Sequence, residues 1–148
     1  MTARSEIAVE KFFAEYNCAQ SVFYAFSQDL GLDPDTALRL ACGFGAGMAR
    51  KQEVCGAISG GIMAIGLKYG RGEGEDKAVT EDAYAMVWDL TDRFEAKHGS
   101  CLCRTLMGCD LSTPEGRQSS KDNDLRTKVC KGCVETVVET LEDVLFLD

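Results

Sequence analysis

The sequence predicts an all-α fold: a single domain over residues 1–148, built as a bundle of six or seven helices around a central glycine-rich apolar helix. Apolar residues recur at helical spacing in segment after segment, and no stretch of any length alternates as a strand would. Proline occurs only twice in 148 residues. The run Val54-Cys55-Gly56-Ala57-Ile58-Ser59-Gly60-Gly61-Ile62-Met63-Ala64-Ile65-Gly66-Leu67 carries no charge. It reads as a helix that is apolar all round, as the middle helix of a bundle is. It is shorter than the roughly 20 apolar residues a bilayer crossing needs.

Glycine costs a helix interior roughly 1 kcal/mol relative to alanine. Gly56, Gly60, Gly61 and Gly66 therefore predict close approach to this backbone by a neighbouring helix or a bound group. Cys55 falls in the first turn, where unpaired N–H groups favour negative charge.

The first helix is expected from Ser5 as cap to about Tyr16, with Val9, Phe12, Phe13 and Tyr16 as its stripe. Asn17-Cys18-Ala19-Gln20 reads as a capping box opening a second helix to about Leu30. Cys18 then shares an inward face with Val22, Ala25 and Phe26. Gly31 ends that helix, and Asp33-Pro34 opens a third, with Pro34 at its first position. Cys42-Gly43-Phe44-Gly45-Ala46-Gly47-Met48 is a glycine-rich bend. No strand precedes it, so its G-x-G pattern is not a nucleotide-binding turn. Arg50 and Lys51 follow, read either as solvated surface or as compensation for thiolate charge at Cys55.

Beyond the apolar helix, residues 70–76 are a flexible loop. A long amphipathic helix runs from Asp76 or Thr80 to Lys97, with Ala83, Met86, Val87, Leu90 and Phe94 as its stripe and Gly99 as its stop. Ser100 is expected to cap a short helix over residues 101–107. The polar stretch from Gly108 to about Asp124 reads as a surface loop with at most one helical turn. The last helix runs from about Asp124 to Phe146. Cys130 shares its buried face with Val134, Val137, Leu141 and Val144; Cys133 lies on the edge, and Glu135, Glu139 and Glu142 lie opposite.

The formal charge of −8 argues against nucleic acid, which wants a basic face, and against an anionic membrane surface. The N-terminal residues form no apolar signal-peptide core, so the chain is expected in the cytoplasm. Thiols stay reduced there, so eight cysteines point to metal ligation or redox chemistry rather than to structural disulfides. Cys18, Cys55 and Cys103 fall in predicted first turns, and Cys130 faces the core. Such helix ends, converging, would suit an anionic thiolate–metal centre; packing as small hydrophobes is the plainer alternative. Cys101-Leu102-Cys103 and Cys130-Lys131-Gly132-Cys133 do not match a compact zinc finger. No C-x-x-C-H exists, which excludes c-type haem. His98 reads as a satisfied surface residue, and Met63 and Met86 as core.

The ordered motifs Asn17-Cys18-Ala19-Gln20-Ser21, Gly43-Phe44-Gly45-Ala46-Gly47, Cys55-Gly56-Ala57-Ile58-Ser59-Gly60-Gly61, Cys103-Arg104-Thr105-Leu106-Met107-Gly108 and Cys130 resemble the C_GCAxxG_C_C family of redox-active proteins. The likeness spans roughly residues 17–145. It implies a small helical redox protein, found mostly in anaerobic bacteria and archaea. The family's signature cysteines map onto Cys18, Cys55, Cys103 and Cys130. A related domain in split-Soret cytochromes implies an iron–sulfur centre held by such cysteines. Cys42, Cys101, Cys109 and Cys133 are additional thiols; Cys101 is an alternative to Cys103, and Cys133 to Cys130.

The leading expectation is therefore electron transfer by an iron–sulfur cluster on four cysteinates. The alternatives are a metal-free thiol–disulfide oxidoreductase attacking through Cys55 and a structural zinc domain. The redox partner is unspecified, and a homodimer is compatible with the sequence.

Overall fold

The computed structural model describes residues 1–147. Those residues form eight helices and no strand: α1 (Ala3–Phe13), α2 (Cys18–Ser27), α3 (Pro34–Ala41), α4 (Gly56–Tyr69), α5 (Ala78–His98), α6 (Cys103–Met107), α7 (Pro114–Asp122) and α8 (Lys131–Val144). A 3-10 turn over Cys42–Phe44 follows α3, and a π-helical turn over Arg126–Cys130 leads into α8. The all-α expectation holds. The additional helix, α7, stands where a surface loop was expected. Its start signals are ordinary: Thr113 accepts the Gly116 N–H at 3.0 Å, Pro114 follows at once, and Glu115 lies in the first turn. The polarity of the segment masked them.

The capping box forms as read. Asn17 Oδ1 accepts the Gln20 N–H at 2.9 Å, and Gln20 Oε1 accepts the Asn17 N–H at 3.1 Å. Asp33 caps α3 on Thr36, and Gly99 ends α5 with φ 87°. Other boundaries shift. Thr2, not Ser5, caps α1, which buries Ser5, Ala8 and Phe12 and leaves Phe13 and Tyr16 exposed. α6 begins at Cys103, so Cys101 lies outside it. Glu142, expected in solvent, is buried. It accepts from Thr2 Oγ1 at 2.6 Å and pairs with Arg4 at 2.8 Å, so the N-terminus is tied to α8.

α2 packs against α1, α3 and α4, while α8 packs against α1, α2, α4 and α5. Phe12, Phe26, Ile58, Ile65, Leu90, Phe94 and Leu141 are fully buried between them; each such side chain contributes roughly 1.5–3 kcal/mol. Three glycines of α4 are explained by close contact. A Cβ on Gly60 would lie 2.6 Å from the Ala19 carbonyl oxygen, and one on Gly61 would lie 2.8 Å from Val137 Cγ1. Gly56 meets α2, as described below. Gly66 departs from the expectation, because a Cβ there would meet nothing within 4 Å.

The glycine-rich bend continues into an uncommon backbone. Ala46, Gly47, Met48, Ala49 and Arg50 all have positive φ, between 52° and 70°. A left-handed turn costs a non-glycine residue about 1–2 kcal/mol. Hydrogen bonds from the Gln52 N–H to the Ala46 oxygen (3.1 Å) and from the Glu53 N–H to the Gly47 oxygen (3.0 Å) hold it. Ala49→Gly is expected to raise stability by about 0.5–1 kcal/mol, the left-handed penalty less glycine's extra chain entropy. Urea unfolding checks this; an unchanged or lower midpoint would refute the strain.

Candidate functional site

Two extended segments meet beside the N-terminus of α4. The Cys55 N–H donates to the Cys101 oxygen at 2.8 Å, the Cys103 N–H to the Glu53 oxygen at 2.7 Å, and the Arg104 N–H to the Gln52 oxygen at 3.2 Å. This antiparallel bridge, centred on Val54 and Leu102, sets Cys55 opposite Cys101 and Cys103 opposite Glu53, with Cys55 and Cys103 both lining one cavity. The N-terminus of α2 enters from another side. A Cβ on Gly56 would fall on Cys18 Sγ and lie 2.9 Å from the Phe44 oxygen. Glycine is thus what lets the Cys18 sulfur rest on the start of α4. The π-helical turn supplies Cys130, whose Sγ lies 3.5 Å from Met107 Sδ. Such turns widen the backbone locally and recur at functional sites.

The result is a cavity of about 440 Å³ lined by Cys18, Cys55, Cys103 and Cys130 together with Cys42 and Cys133. The four cysteines singled out in the sequence are therefore brought to one place. Cys101 and Cys109 are not part of its lining. The Cys101 sulfur faces the Thr91 carbonyl at 3.6 Å. Cys133 is more deeply buried than its expected edge position, with 1% exposure. The reason is that α8 is covered on several sides, by α1, α2, α4 and α5. All eight thiols are free. Among the described residues, no three His, Cys, Asp or Glu side chains are grouped as a single metal ion would require.

A model of the family described as "Putative redox-active protein (C_GCAxxG_C_C)" matches residues 16–144. The chain belongs to the C_GCAxxG_C_C family. Neither the comparison with curated proteins nor that with solved structures gave a match.

The charge distribution of this family member is uneven. The chain carries a formal charge of −8, yet the cavity lining holds Arg50, Arg117, Lys121 and Arg126 and no carboxylate. Arg50 was one of two cations read from the sequence; Lys51 faces elsewhere. Arg126 donates to the Phe12 oxygen at 2.7 Å, and its guanidinium lies 3.9 Å above the Phe12 ring. Arg117 donates to the Leu111 oxygen at 2.9 Å. Phe12, Leu106, Met107, Leu111 and Val129 supply the apolar part of the wall.

Burial and mutual repulsion make these thiols hard to ionise. Burial, then the neighbouring Cys55, pushes Cys18 up to about 11; N–H groups of Ala46, Ala19 and Cys18 itself pull the other way. Burial first, with Cys55 and Cys18 beside it, pushes Cys103 up to about 12, while the Gln52 side chain lowers it. Cys130 is raised further, again mainly by burial, with Arg126 opposing. Cys55 is raised by its hydrogen bond with Cys133 and then by burial. The Ala57 and Ile58 N–H groups lower it, as the helix-end reading expects. They are outweighed by the Cys133 thiol and by burial, so Cys55 is harder to ionise than an ordinary thiol in the metal-free site.

Gln52 was not singled out in the sequence. It is buried, has φ 56°, donates from Nε2 to the Cys109 oxygen at 2.8 Å, and accepts the Leu111 N–H at 2.9 Å. It ties the 109–111 loop over the site while contacting Cys103. A buried amide with long-range partners leaves no local pattern in sequence. His98 stacks on Phe94 at 4.5 Å and its Nε2 meets Thr136 Oγ1 at 2.8 Å. It is satisfied and away from the cavity, and burial lowers its pKa. Met63 and Met86 pack on the core.

Proposed function

We propose that this cavity holds an iron–sulfur cluster, [2Fe–2S] or [4Fe–4S], on Cys18, Cys55, Cys103 and Cys130, and that the protein transfers electrons through it. The observation that carries this reading is the lining itself: six cysteines, among them Cys18, Cys55, Cys103 and Cys130 from separate chain segments, with four cations and no carboxylate. Thiolates are the ligands such clusters use, and the donor set therefore fits. Sulfurs spread around a cavity of about 440 Å³ favour a group with several metal atoms over one tetrahedral zinc ion. The cluster, when bound, supplies one-electron redox chemistry.

The chain's own residues have separable tasks. The four thiolates bind. The Ala46 N–H and the Gln52 side chain act on Cys18 and Cys103, and the Ala57 and Ile58 N–H groups on Cys55; such donors stabilise negative sulfur. Arg50, Arg117, Lys121 and Arg126 offset the anionic charge, and Phe12, Leu106 and Leu111 keep water away. Raised thiol pKa values weigh against Cys55 as a fast thiol–disulfide catalyst, because the thiolate is the nucleophile. They also mean that loading releases protons, so affinity for iron rises with pH.

Single serine variants test the ligand set. Anaerobically purified protein is expected to show visible charge-transfer absorbance that Cys18→Ser, Cys55→Ser, Cys103→Ser and Cys130→Ser each remove. Cys42→Ser and Cys109→Ser are expected to keep it. Equal loss in those two, or absorbance surviving all four ligand variants, would overturn the assignment.

A further inference from the structure

We propose that the cavity wall formed by α7 is an oxyanion-binding subsite, in which Arg117, Ser120 and Lys121 hold the carboxylate or phosphate group of a small ligand. The three residues stand three and four apart on that helix, so they share one face. All three line the cavity. Arg50 and Arg126 line the same space from the glycine-rich bend and the π-helical turn.

Ser120 carries the argument. It is 9% exposed, and its hydroxyl has no hydrogen-bond partner among the described residues. Ser5, Ser21 and Ser27 are also buried, and each donates to a carbonyl oxygen, of Thr2, Asn17 and Tyr24 respectively. Ser59 likewise lacks such a bond, but it is not part of the cavity wall. A buried hydroxyl without a partner costs free energy that an acceptor on a ligand recovers.

The cations are equally uncommitted. Ion pairs among the described residues engage Arg4, Arg39, Arg93, Arg104 and Lys131, none of which lines the cavity. Arg117 and Arg126 each commit one nitrogen to main-chain carbonyls, which leaves guanidinium donors free for a planar pair of oxygens. Lys121 lies in the last turn of α7, where a cation complements the helix dipole. That explains the lysine but neither Arg117 nor Ser120. The charge of a cluster would likewise explain the cations and not the neutral hydroxyl. The subsite therefore stands whether or not the cluster reading holds. A small ligand fits better than the acidic face of a protein, because a hydroxyl so nearly buried is out of reach of a flat surface.

The test is calorimetric titration of the full chain, purified without oxygen, with inorganic phosphate and with malonate at matched ionic strength. Iron is determined on the same sample, so that failure of anion binding is distinct from failure of the cluster. At least one anion is expected to saturate a single site with a Kd of about 1 mM or tighter. Whichever binds more tightly tells a phosphorylated ligand from a carboxylic acid. Ser120→Ala is expected to weaken binding about tenfold, the loss of one hydrogen bond to a charged group. It is expected not to lower the urea midpoint, because no bond within the chain is lost. Lys121→Gln is expected to weaken binding and reduce its salt dependence. Lys51→Gln removes the same charge from outside the wall and is expected to change binding by less than about twofold. Equal weakening by the two lysine variants, or unchanged binding in Ser120→Ala, would overturn the subsite. No saturation by either anion would also overturn it, and would assign the cations to docking an acidic protein instead.

Discussion

Gly56→Ala is expected to abolish the visible absorbance of anaerobically purified protein and to destabilise the metal-free chain by about 1–3 kcal/mol, the usual cost of overpacking. Alanine is intrinsically the better helix residue by roughly 1 kcal/mol, so propensity alone predicts the opposite sign. Packing decides. The new methyl group would occupy the place of the Cys18 sulfur and press on the Phe44 oxygen at 2.9 Å and the Ala19 nitrogen at 3.4 Å. Two backbone neighbours cannot swing aside as a flexible side chain would, so Cys18 is displaced. Gly66→Ala is the matched control in the same helix. Nothing lies within 4 Å of its added methyl, so it is expected to raise stability by about 1 kcal/mol and to keep the absorbance. Urea unfolding and a visible spectrum of both variants suffice. The same response from the two would show that the close approach of α2 to α4 is not what glycine serves at position 56.

The second large effect is alkaline instability of the metal-free protein. The folded-state pKa values of Cys18 and Cys103 are pushed up from an ordinary 9.0 to about 11 and about 12, with Cys55 and Cys130 also raised. Between the unfolded and folded values the unfolded chain has released the proton and the folded chain has kept it. Stability is therefore fully present below about pH 9 and falls as pH rises, by up to about 1.4 kcal/mol per pH unit for each such thiol. Thermal unfolding of metal-free protein is expected to be flat from pH 7 to 8.5 and to drop steeply from pH 9 to 11. Cys103→Ala is expected to make that drop shallower. A flat profile to pH 11 would mean that the thiols are not held protonated by burial.

How much of this was legible in the sequence depends on whether the determining interaction is local. The capping box at Asn17, the proline start at Pro34 and the glycine stop at Gly99 are short-range chemistry and form as read. The four cysteines were found from their helix positions, and the structure places all four on one cavity. What a sequence cannot display is a long-range partner. Glu142 reads as a solvent-face carboxylate until Arg4 and Thr2, far away in the chain, reach it. Gln52 is one amide among polar neighbours until the 109–111 loop folds over it. Arg117 and Arg126 look like scattered surface charge, yet the π-helical turn and α7 aim them at the same cavity. The deep burial of Cys133 depends on how α8 is covered, so a helical projection of the last helix alone set it at the edge. The run of positive φ from Ala46 to Arg50 is likewise not legible in sequence, since its four non-glycine residues would not choose it.

The most direct measurement is iron and acid-labile sulfide per chain in protein purified and reconstituted without oxygen, beside its Cys55→Ser variant. The cluster assignment predicts iron and sulfide in matching amounts in the wild type and neither in the variant. Wild-type protein with fully reduced thiols that retains no iron or sulfide after reconstitution would contradict it.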